Sequence, residues 1–352
     1  MLNSQASQLQ QSGVWVHKMT NVLEQQATTF GDWAYIAIAK HFKKILKHED
    51  HVLKDTDPED LHQMRVGMRR LRSTIAGFAP ALALPKAAKE KTVGKIARIL
   101  GELRDYDVLE DALKNHYQST LPEKEQKSLD EALKVLAKRR KKAFKEVEET
   151  LQSERYLHLK EGFQSWLEKP TYQEIAKIAI HNILPDLLLP QVSKLMLHPG
   201  WLVGVKVEAG EIQFSGGLSS SEVETLLTTE GTSLHELRKE AKRSRYNMEL
   251  FTQFYGDIYQ GYLKDIKAVQ SLLGDIQDGF VLSAFLGEVF GEDLSKVMPT
   301  LADNFRENRY QKWQEWEGLQ AKFLNPKSRK DLHIAILQPS LIKSELEATV
   351  NS

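Results

Sequence analysis

A basic motif occurs twice in the sequence, and this duplication constrains the fold more than any other feature. The first copy is LHQMRVGMRRLR at residues 61–72, and the second is LHELRKEAKRSR at residues 234–245. A further motif follows each copy, GELRD at 101–105 and GDIQD at 274–278. Both motifs recur after 173 residues, so about 45 positions match without a gap. A match of this length predicts an internally duplicated chain.

Each copy of the basic motif has the period of an amphipathic helix. The apolar residues of the first copy, such as Leu61, Met64 and Met68, fall on one face at 3.6 residues per turn. The cations lie beside that face at i, i+3, i+7 and i+10. We name them row 1 (His62, Arg65, Arg69, Arg72) and row 2 (His235, Arg238, Lys242, Arg245). The pattern predicts that each row flanks an apolar core.

Cap residues predict that both motif helices begin shortly before the histidine. Asp57 is a suitable N-cap with Pro58 behind it, and Ser233 with Glu236 reads as a capping box. Both histidines are therefore expected in a first turn, near free N–H groups and the positive end of the helix dipole. Cations gathered at such an end favour an anion as ligand.

The two blocks together resemble the CHAD family, the conserved histidine α-helical domain. The basic rows carry the resemblance, together with LRDYDV at 103–108 and RYNMEL at 245–250. The resemblance implies an all-α fold in which two four-helix bundles face each other around a central basic pore. It also implies binding of inorganic polyphosphate, which the periodicity alone does not establish.

Composition limits the classes of function. Lys plus Arg and Asp plus Glu are both 48, so the net charge is zero and a polyanion must be held by a local concentration of cations. There is no cysteine, which excludes disulfides and thiol chemistry. The sequence contains neither a signal peptide nor a stretch apolar enough to span a membrane. We expect a soluble, cytoplasmic protein with no membrane partner.

The segments between the motifs divide the chain into four parts. We predict an N-terminal arm (1–29), a first helical repeat (30–170), a second helical repeat (171–325) and a C-terminal tail (326–352). Amphipathic helices are predicted over 29–54, 86–116, 122–151, 154–168 and 171–197, the last bent near Pro185. Within an insertion at 198–218, two apolar runs flank Ala209 and Gly210 and predict a small β-hairpin near 200–215.

Two further helices place cations in apolar stripes. Arg140 lies between Leu136 and Phe144, and Arg309 and Lys312 share a stripe with tryptophans. An inward-facing cation must be paired or must line a wet cavity. We interpret these residues as lining a common basic cavity, with a helix–helix salt bridge as the alternative. Weaker ligand candidates are Lys44, Lys91, Arg98 and Lys264, and we expect the carboxylates of Asp105 and Asp278 to hold the arginines in place.

The resemblance to the CHAD family, together with the basic rows, implies a non-enzymatic protein that binds polyphosphate and is directed to polyphosphate granules. An RNA-binding scaffold is the first alternative, but nucleic acid is disfavoured because the aromatic residues fall mostly in core stripes rather than among the cations. A phosphotransfer or polyphosphate-hydrolysing enzyme using His62 and His235 is the second. We expect no metal and no cofactor, because cations around each histidine repel a metal ion. Binding is expected to strengthen as the pH falls through about 6.5, the ordinary histidine pKa.

Overall fold

The computed structural model describes residues 26–214 and 216–340. These ranges contain eleven α-helices and one two-stranded antiparallel sheet. The predicted N-terminal arm falls mainly on residues 1–25, and the end of the predicted tail falls on 341–352, so both lie outside the described residues. None of the helices in the described ranges combines the length and the apolar character that a membrane span requires.

The described residues form two compact units. The first lies within Met1–Glu110 and Leu136–Ile183, and the second within Asp111–Val135 and Leu184–Ser352. Residues 111–135 thus belong to the second unit, although the sequence analysis assigned them to the first repeat. The predicted repeat boundaries and the central pore stay predictions.

The first unit is built mainly from α-helices. Its helices are α1 (Phe30–Val52), α2 (Pro58–Gly77), α3 (Glu90–Asp111, ending at the unit boundary), the part of α4 (Glu123–Leu151) from Leu136 onward, and α5 (Glu154–Glu168). A capping box at Thr29 and Asp32 begins α1, and Asp57 caps α2 with Pro58 in the first turn, as predicted. Gly67 lets α1 and α2 approach closely, because a Cβ there would lie 2.9 Å from Ile45.

Aromatic pairs fill the core of the first unit. The rings of Phe42 on α1 and Phe163 on α5 lie 5.2 Å apart, and Tyr35 packs against Trp166 at 6.0 Å. The hydroxyl of Tyr35 donates to the carbonyl of Leu167 at 3.1 Å. These contacts fix α5 against α1, and the boundaries of α5 agree with the prediction.

The second unit combines long helices with the hairpin. Its elements are the part of α4 before Leu136, α6 (Leu184–Met196), β1 (Val205–Glu208), β2 (Glu211–Phe214), α7 (Ser220–Glu249), α8 (Asp257–Phe290), α9 (Leu294–Val297), α10 (Pro299–Leu324) and α11 (Pro326–Leu337). The core contains Trp201 stacked between Trp316 at 5.3 Å and Phe323 at 5.0 Å. The buried carboxylate of Glu125 accepts from the backbone N–H groups of Thr300 and Leu301, which satisfies the start of α10.

The β-hairpin prediction is confirmed. Strands β1 and β2 pair with Val205 opposite Phe214 and Glu208 opposite Glu211. The turn between them has positive φ angles of 50° at Ala209 and 84° at Gly210, the backbone that a two-residue turn of the primed type requires. Trp201 lies before β1, in a short 3₁₀ turn.

Three local predictions are wrong. The helix predicted over 171–197 is irregular up to Ile183, and α6 begins at Leu184, so Pro185 lies in its first turn instead of bending it. The helix predicted to end at 116 changes at Ala112 into a π-helix that ends at Tyr117. Ser233 is not an N-cap, because α7 already begins at Ser220 with a capping box between Ser219 and Glu222.

Candidate anion-binding site

Row 1 lies along one side of α2. The apolar residues beside it, including Leu61, Met64 and Met68, are buried and fix the rotation of the helix. This leaves His62 half-buried near the first turn. Further along α2, Arg65 and Arg69 are half-buried and Arg72 is exposed. The row is thus partly supported by the core and partly open to solvent, as the sequence predicts.

Helix α3 passes along row 1 in the antiparallel direction. A Cβ added at Gly101 would lie 2.9 Å from Nη1 of Arg65, and one added at Gly94 would lie 3.2 Å from Nε of Arg72. Between these two contacts the arginine position increases from 65 to 72, while the glycine position decreases from 101 to 94. The two helices therefore run in opposite directions. Each guanidinium therefore lies over a point where α3 has no side chain.

Row 2 lies on α7 in the second unit. His235, Arg238, Lys242 and Arg245 are all half-buried. Because α7 extends from Ser220 to Glu249, His235 lies in the middle of the helix, far from its free N–H groups. The expected helix-dipole contribution to anion binding therefore does not apply to row 2. The helix continues through Ser233 because buried Val223, Leu227, Leu234 and Leu237 form one continuous apolar stripe.

The same arginine–glycine contact occurs in both units. A Cβ at Gly274 on α8 would lie 3.1 Å from Nε and 3.2 Å from Nη2 of Arg238. Gly274 and Arg238 lie 173 residues after Gly101 and Arg65. The glycine that opens the second motif thus has a physical role, which is to leave room for the guanidinium of the row.

The outer ends of the rows have different partners. Arg72 donates from Nε to Glu90 at 2.7 Å. Arg245 donates from Nε to Gln270 at 2.8 Å and from Nη1 to Glu249 at 2.6 Å. Its guanidinium also lies 4.2 Å from the ring centre of Tyr246. These side chains order the terminal arginines while leaving each row net basic.

The carboxylates of the second motif lie at the surface, and Asp105 forms an ion pair with Arg65. Asp105 lies 3.7 Å from Nη1 of Arg65, beyond hydrogen-bonding distance, and its side chain is 75% exposed. Asp278 is also exposed. Glu90, and Glu249 of the RYNMEL segment, accept hydrogen bonds from Arg72 and Arg245.

Arg140 and Arg309 form ion pairs within their own units. Arg140 donates from Nε to Asp107 at 2.8 Å and from its two terminal nitrogens to Asp55 at 2.7 Å. Arg309 is 5% exposed and donates to both carboxylate oxygens of Glu224, at 2.9 and 2.6 Å. This geometry corresponds to the salt-bridge alternative. We therefore do not include these two arginines among the groups that bind an anion.

The remaining cation candidates are dispersed. Lys312 pairs with Glu315 at 2.7 Å. The pKa of Lys44 on α1 is lowered by burial and by the neighbouring charge of Arg70, so this lysine lies close to α2. The other three weaker candidates, Lys91 and Arg98 on α3 and Lys264 on α8, are all exposed.

Both row histidines have lowered pKa values. Burial lowers the pKa of His62 most, followed by the charge of Arg104, and Glu59 opposes the shift. Burial also lowers the pKa of His235, together with Lys239 and Arg238. In the free protein both imidazoles are therefore neutral at pH 7, and their protonation is expected below the ordinary value rather than at it.

Sequence reasoning missed Arg104 as a member of the site. Its charge acts on His62 from α3, whereas the equivalent position in the second unit is Gln277. The available signal was its place inside the second motif, three residues after the glycine that accommodates Arg65. The second unit has Lys239 near its histidine instead, at a position where the first unit has Val66.

Acidic and imidazole groups are not clustered as metal ligands. In the described ranges, no three His, Asp or Glu side chains come together as a set that could hold a metal ion. What both units present instead is a half-buried row of guanidinium, ammonium and imidazole groups against a neighbouring helix.

Comparison with known families agrees with this arrangement. The sequence model of the CHAD domain matches residues 36–287, which include both rows and both second motifs. The chain belongs to the CHAD domain family. Because the match covers most of the described residues, the duplicated rows are features of the CHAD region itself.

Two solved structures have the same fold. The chain is similar to the CHAD domain from the plant Ricinus communis, with 22% identity, a TM-score of 0.56, and coverage of 90% of this chain and 95% of that one. It is also similar to PptA from Streptomyces chartreusis, with 16% identity, a TM-score of 0.58, and coverage of 84% and 100%. The search of curated proteins found no match.

Proposed function

We propose that this CHAD protein binds inorganic polyphosphate, without enzymatic reaction, through rows 1 and 2. The observation that carries the proposal is the arginine–glycine contact present in both units. It holds the guanidiniums of Arg65 and Arg238 against a helix surface before any ligand arrives. Preorganised donors lose less side-chain entropy on binding than free arginines do.

The chemistry of the rows suits a linear chain of phosphates. A guanidinium donates parallel hydrogen bonds to phosphate oxygens and keeps its charge at every relevant pH. Row 1 spans eleven residues from His62 to Arg72, and the ten steps between its ends correspond to about 15 Å along a helix. Such a row contacts several successive phosphates, and binding releases their counterions, so the affinity should fall steeply with salt.

The second unit offers donors that the protein itself does not use. Among the described residues, Nε of Arg238 and Nδ1 of His235 are buried and have no hydrogen-bond partner. An unpaired buried guanidinium N–H is unfavourable, so an outward movement of the Arg238 side chain onto a phosphate oxygen would be favoured. This supports row 2 as a ligand surface in addition to row 1.

The burial of the aromatic residues disfavours RNA as the ligand. Sequence-tolerant binding of single strands needs exposed rings on which bases stack. Tyr35, Phe78, Phe251, Trp313 and Trp316 are instead buried in the cores of their units. An anion without bases therefore fits the rows better than a nucleic acid does.

Calorimetric titration with long-chain polyphosphate at two salt concentrations tests the proposal, with single-stranded RNA as the competing ligand. We expect salt-sensitive binding of polyphosphate that RNA does not match and that the Arg65→Ala/Arg238→Ala variant loses. The control variant Lys141→Ala/Lys296→Ala removes one exposed cation from each unit and should keep most of the affinity. If the arginine variant binds as well as the control variant, the rows are structural.

The enzymatic alternative has its own readout in the same samples. Phosphotransfer through His62 or His235 would place labelled phosphate on a histidine, and hydrolysis would shorten the chains with time. We expect neither change. Polyphosphate that stays intact, together with recruitment of the protein to polyphosphate granules in cells, would agree with a binding module that tethers the protein there.

A further inference from the structure

A second basic surface lies in the first unit, outside the rows. It is a groove of about 840 Å³ between the start of α3 and the start of α5. Its cationic lining consists of Lys86, Lys89, Lys91, Lys95, Arg155 and His158. We name it the lysine groove. Neither the repeat pattern nor the motif analysis singled it out, because its residues come from two separate segments of the chain.

The fold brings these two segments together through small residues. A 3₁₀ turn at Lys86–Ala88 precedes α3 and packs against α5. A Cβ added at Gly162 on α5 would lie 3.5 Å from Ala87 and from Ala88. This close packing places the lysines at the start of α3 beside Arg155 at the start of α5.

The groove is strongly unbalanced in charge. Its lining includes one carboxylate, that of Glu154. The adjacent carboxylate of Glu90 already accepts a hydrogen bond from Arg72 at 2.7 Å. No ion pair within the described ranges engages the four lysines or Arg155, and these five side chains and that of His158 are all exposed. In a chain with zero net charge, such a concentration of unpaired cations favours an anionic ligand.

The groove continues row 1 instead of standing apart from it. Following row 1 from His62 to Arg72 along α2 leads towards the first residue of α3, because the two helices are antiparallel. The hydrogen bond between Arg72 and Glu90 marks the point where the row reaches that end. Lys89 and Lys91 flank Glu90 in sequence and line the groove.

The duplication does not repeat the groove. The positions 173 residues after Lys86, Lys89 and Lys95 are Tyr259, Tyr262 and Ala268. Lys91 is the exception, because Lys264 stands 173 residues after it. Three of the four groove lysines therefore have no cationic counterpart in the second unit.

We propose that the lysine groove extends row 1, so that a long polyphosphate chain held by the row continues past Arg72 into the groove. This inference rests on the proposed function. The groove has no Phe, Tyr or Trp in its described lining, so it offers no surface on which bases stack. Flexible lysines at its rim neutralise phosphates without fixing their orientation, whereas the arginines of the row provide geometry. The groove therefore favours long chains over short ones.

The test compares long-chain polyphosphate with tripolyphosphate, which is too short to occupy row and groove together. The groove variant is Lys86→Gln/Lys89→Gln/Lys95→Gln/Arg155→Gln, and the matched control is Lys206→Gln/Lys296→Gln/Lys327→Gln/Lys330→Gln in the second unit. All eight residues are exposed, and lysine, arginine and glutamine have similar helix propensities. Thermal unfolding checks that both variants remain folded.

We expect the groove variant to bind the long chain with about tenfold lower affinity. This is the loss expected when four weak surface contacts are removed together. The slope of log affinity against log salt should fall by roughly three, at about 0.7 for each lost contact. Affinity for tripolyphosphate should match that of the control variant. Equal long-chain affinity and salt slope in the groove and control variants would overturn the inference and leave the proposed function standing.

Two other outcomes are distinct. If wild type binds neither anion, the proposed function fails and the inference fails with it. If the groove variant loses long-chain binding while Arg65→Ala/Arg238→Ala retains it, the ligand lies in the groove alone, and continuity with row 1 is refuted.

Discussion

Adding a methyl group to the glycines beneath the row arginines should weaken polyphosphate binding without destabilising the protein. In Gly101→Ala the new Cβ would lie 2.9 Å from Nη1 of Arg65, and in Gly274→Ala it would lie 3.1 Å from Nε of Arg238. Carbon–nitrogen contacts are ordinarily about 3.5 Å or longer. Each guanidinium must therefore move by about half an ångström, which a flexible side chain can do.

The effect on stability is small because two contributions oppose each other, whereas the effect on binding is a loss. Alanine is favoured over glycine in a helix interior by about 1 kcal/mol, while a strained arginine rotamer costs about 0.5–1.5 kcal/mol. The free energy of unfolding should thus change by less than about 1 kcal/mol per site. Truncating an arginine that donates a charge-assisted hydrogen bond costs about 1.5–3 kcal/mol. A displaced guanidinium loses part of that, so we expect an affinity loss of about three- to tenfold per site.

Gly261→Ala is the matched control for Gly274→Ala. Gly261 lies on the same helix, α8, and a Cβ there meets no atom within 4 Å. Both variants gain helix propensity, but only Gly274→Ala reaches Arg238. Calorimetric titration and urea denaturation of the two proteins separate the effects. If Gly101→Ala and Gly274→Ala bind polyphosphate with the affinity of Gly261→Ala, the glycines do not position the ligand-binding arginines.

Three further predictions concern protonation and ion pairs. Burial and neighbouring cations lower the pKa of His62 and of His235, and a bound polyanion should raise both pKa values. The affinity for polyphosphate should therefore rise as the pH falls from 8 to 5.5. The expected gain is up to about tenfold for each histidine and each unit by which its pKa changes. A flat pH profile in calorimetric titration would remove these histidines from the contacts, and the His62→Asn/His235→Asn variant should give such a profile. Burial, followed by the charge of Arg70, lowers the pKa of His41 to about 3. As the pH falls, the imidazole is therefore protonated in the unfolded chain before it is protonated in the folded one. The contribution of neutral His41 to the free energy of unfolding is present above pH 6.5 and falls by up to about 1.4 kcal/mol per pH unit below it. Urea denaturation at pH 7 and pH 5 should show this loss in wild type but not in His41→Leu, and equal losses would disprove the assignment. Glu224→Ala leaves the buried guanidinium of Arg309 without its carboxylate, so the free energy of unfolding should fall by about 3 kcal/mol or more; a loss below about 1 kcal/mol would show that the pair is not structural.

Much of the helical fold could be predicted from local patterns. The Asp57–Pro58 start of α2, the bounds of α5 and the Ala209–Gly210 turn depend on neighbouring residues, and the structure confirms them. In each case the cap, the apolar period or the turn residue is determined within a few positions of the chain.

Predictions failed where a distant contact outweighs a local signal. Ser233 and Glu236 form a plausible capping box, yet buried Leu227 and Leu234 lie on one stripe and continue α7 through Gly231. A contact of this remote kind, for which no local signal exists, is the one by which Glu125 satisfies the start of α10. Local propensity is a weak guide where packing or a remote acceptor provides the larger free energy.

The candidate site shows the same division. The helical spacing of the cations around Arg65 and around Arg238 predicted both rows, because periodicity determines which residues share one face of a helix. The function of Arg140 and Arg309 depended on whether a carboxylate lay opposite, and the structure places Asp55, Asp107 and Glu224 there. An inward-facing arginine therefore predicts a partner but does not identify it.

The sequence by itself determined the duplication, the basic rows and the resemblance to the CHAD family. All three depend on motifs that are repeated at a fixed spacing along one chain. Only the tertiary structure decided that Gly101 and Gly274 accommodate the row arginines, that Arg104 lies beside His62, and that segments near Lys86 and Arg155 form one groove. Those features depend on side chains from different helices meeting in space, and their separation along the chain carries no periodic signal.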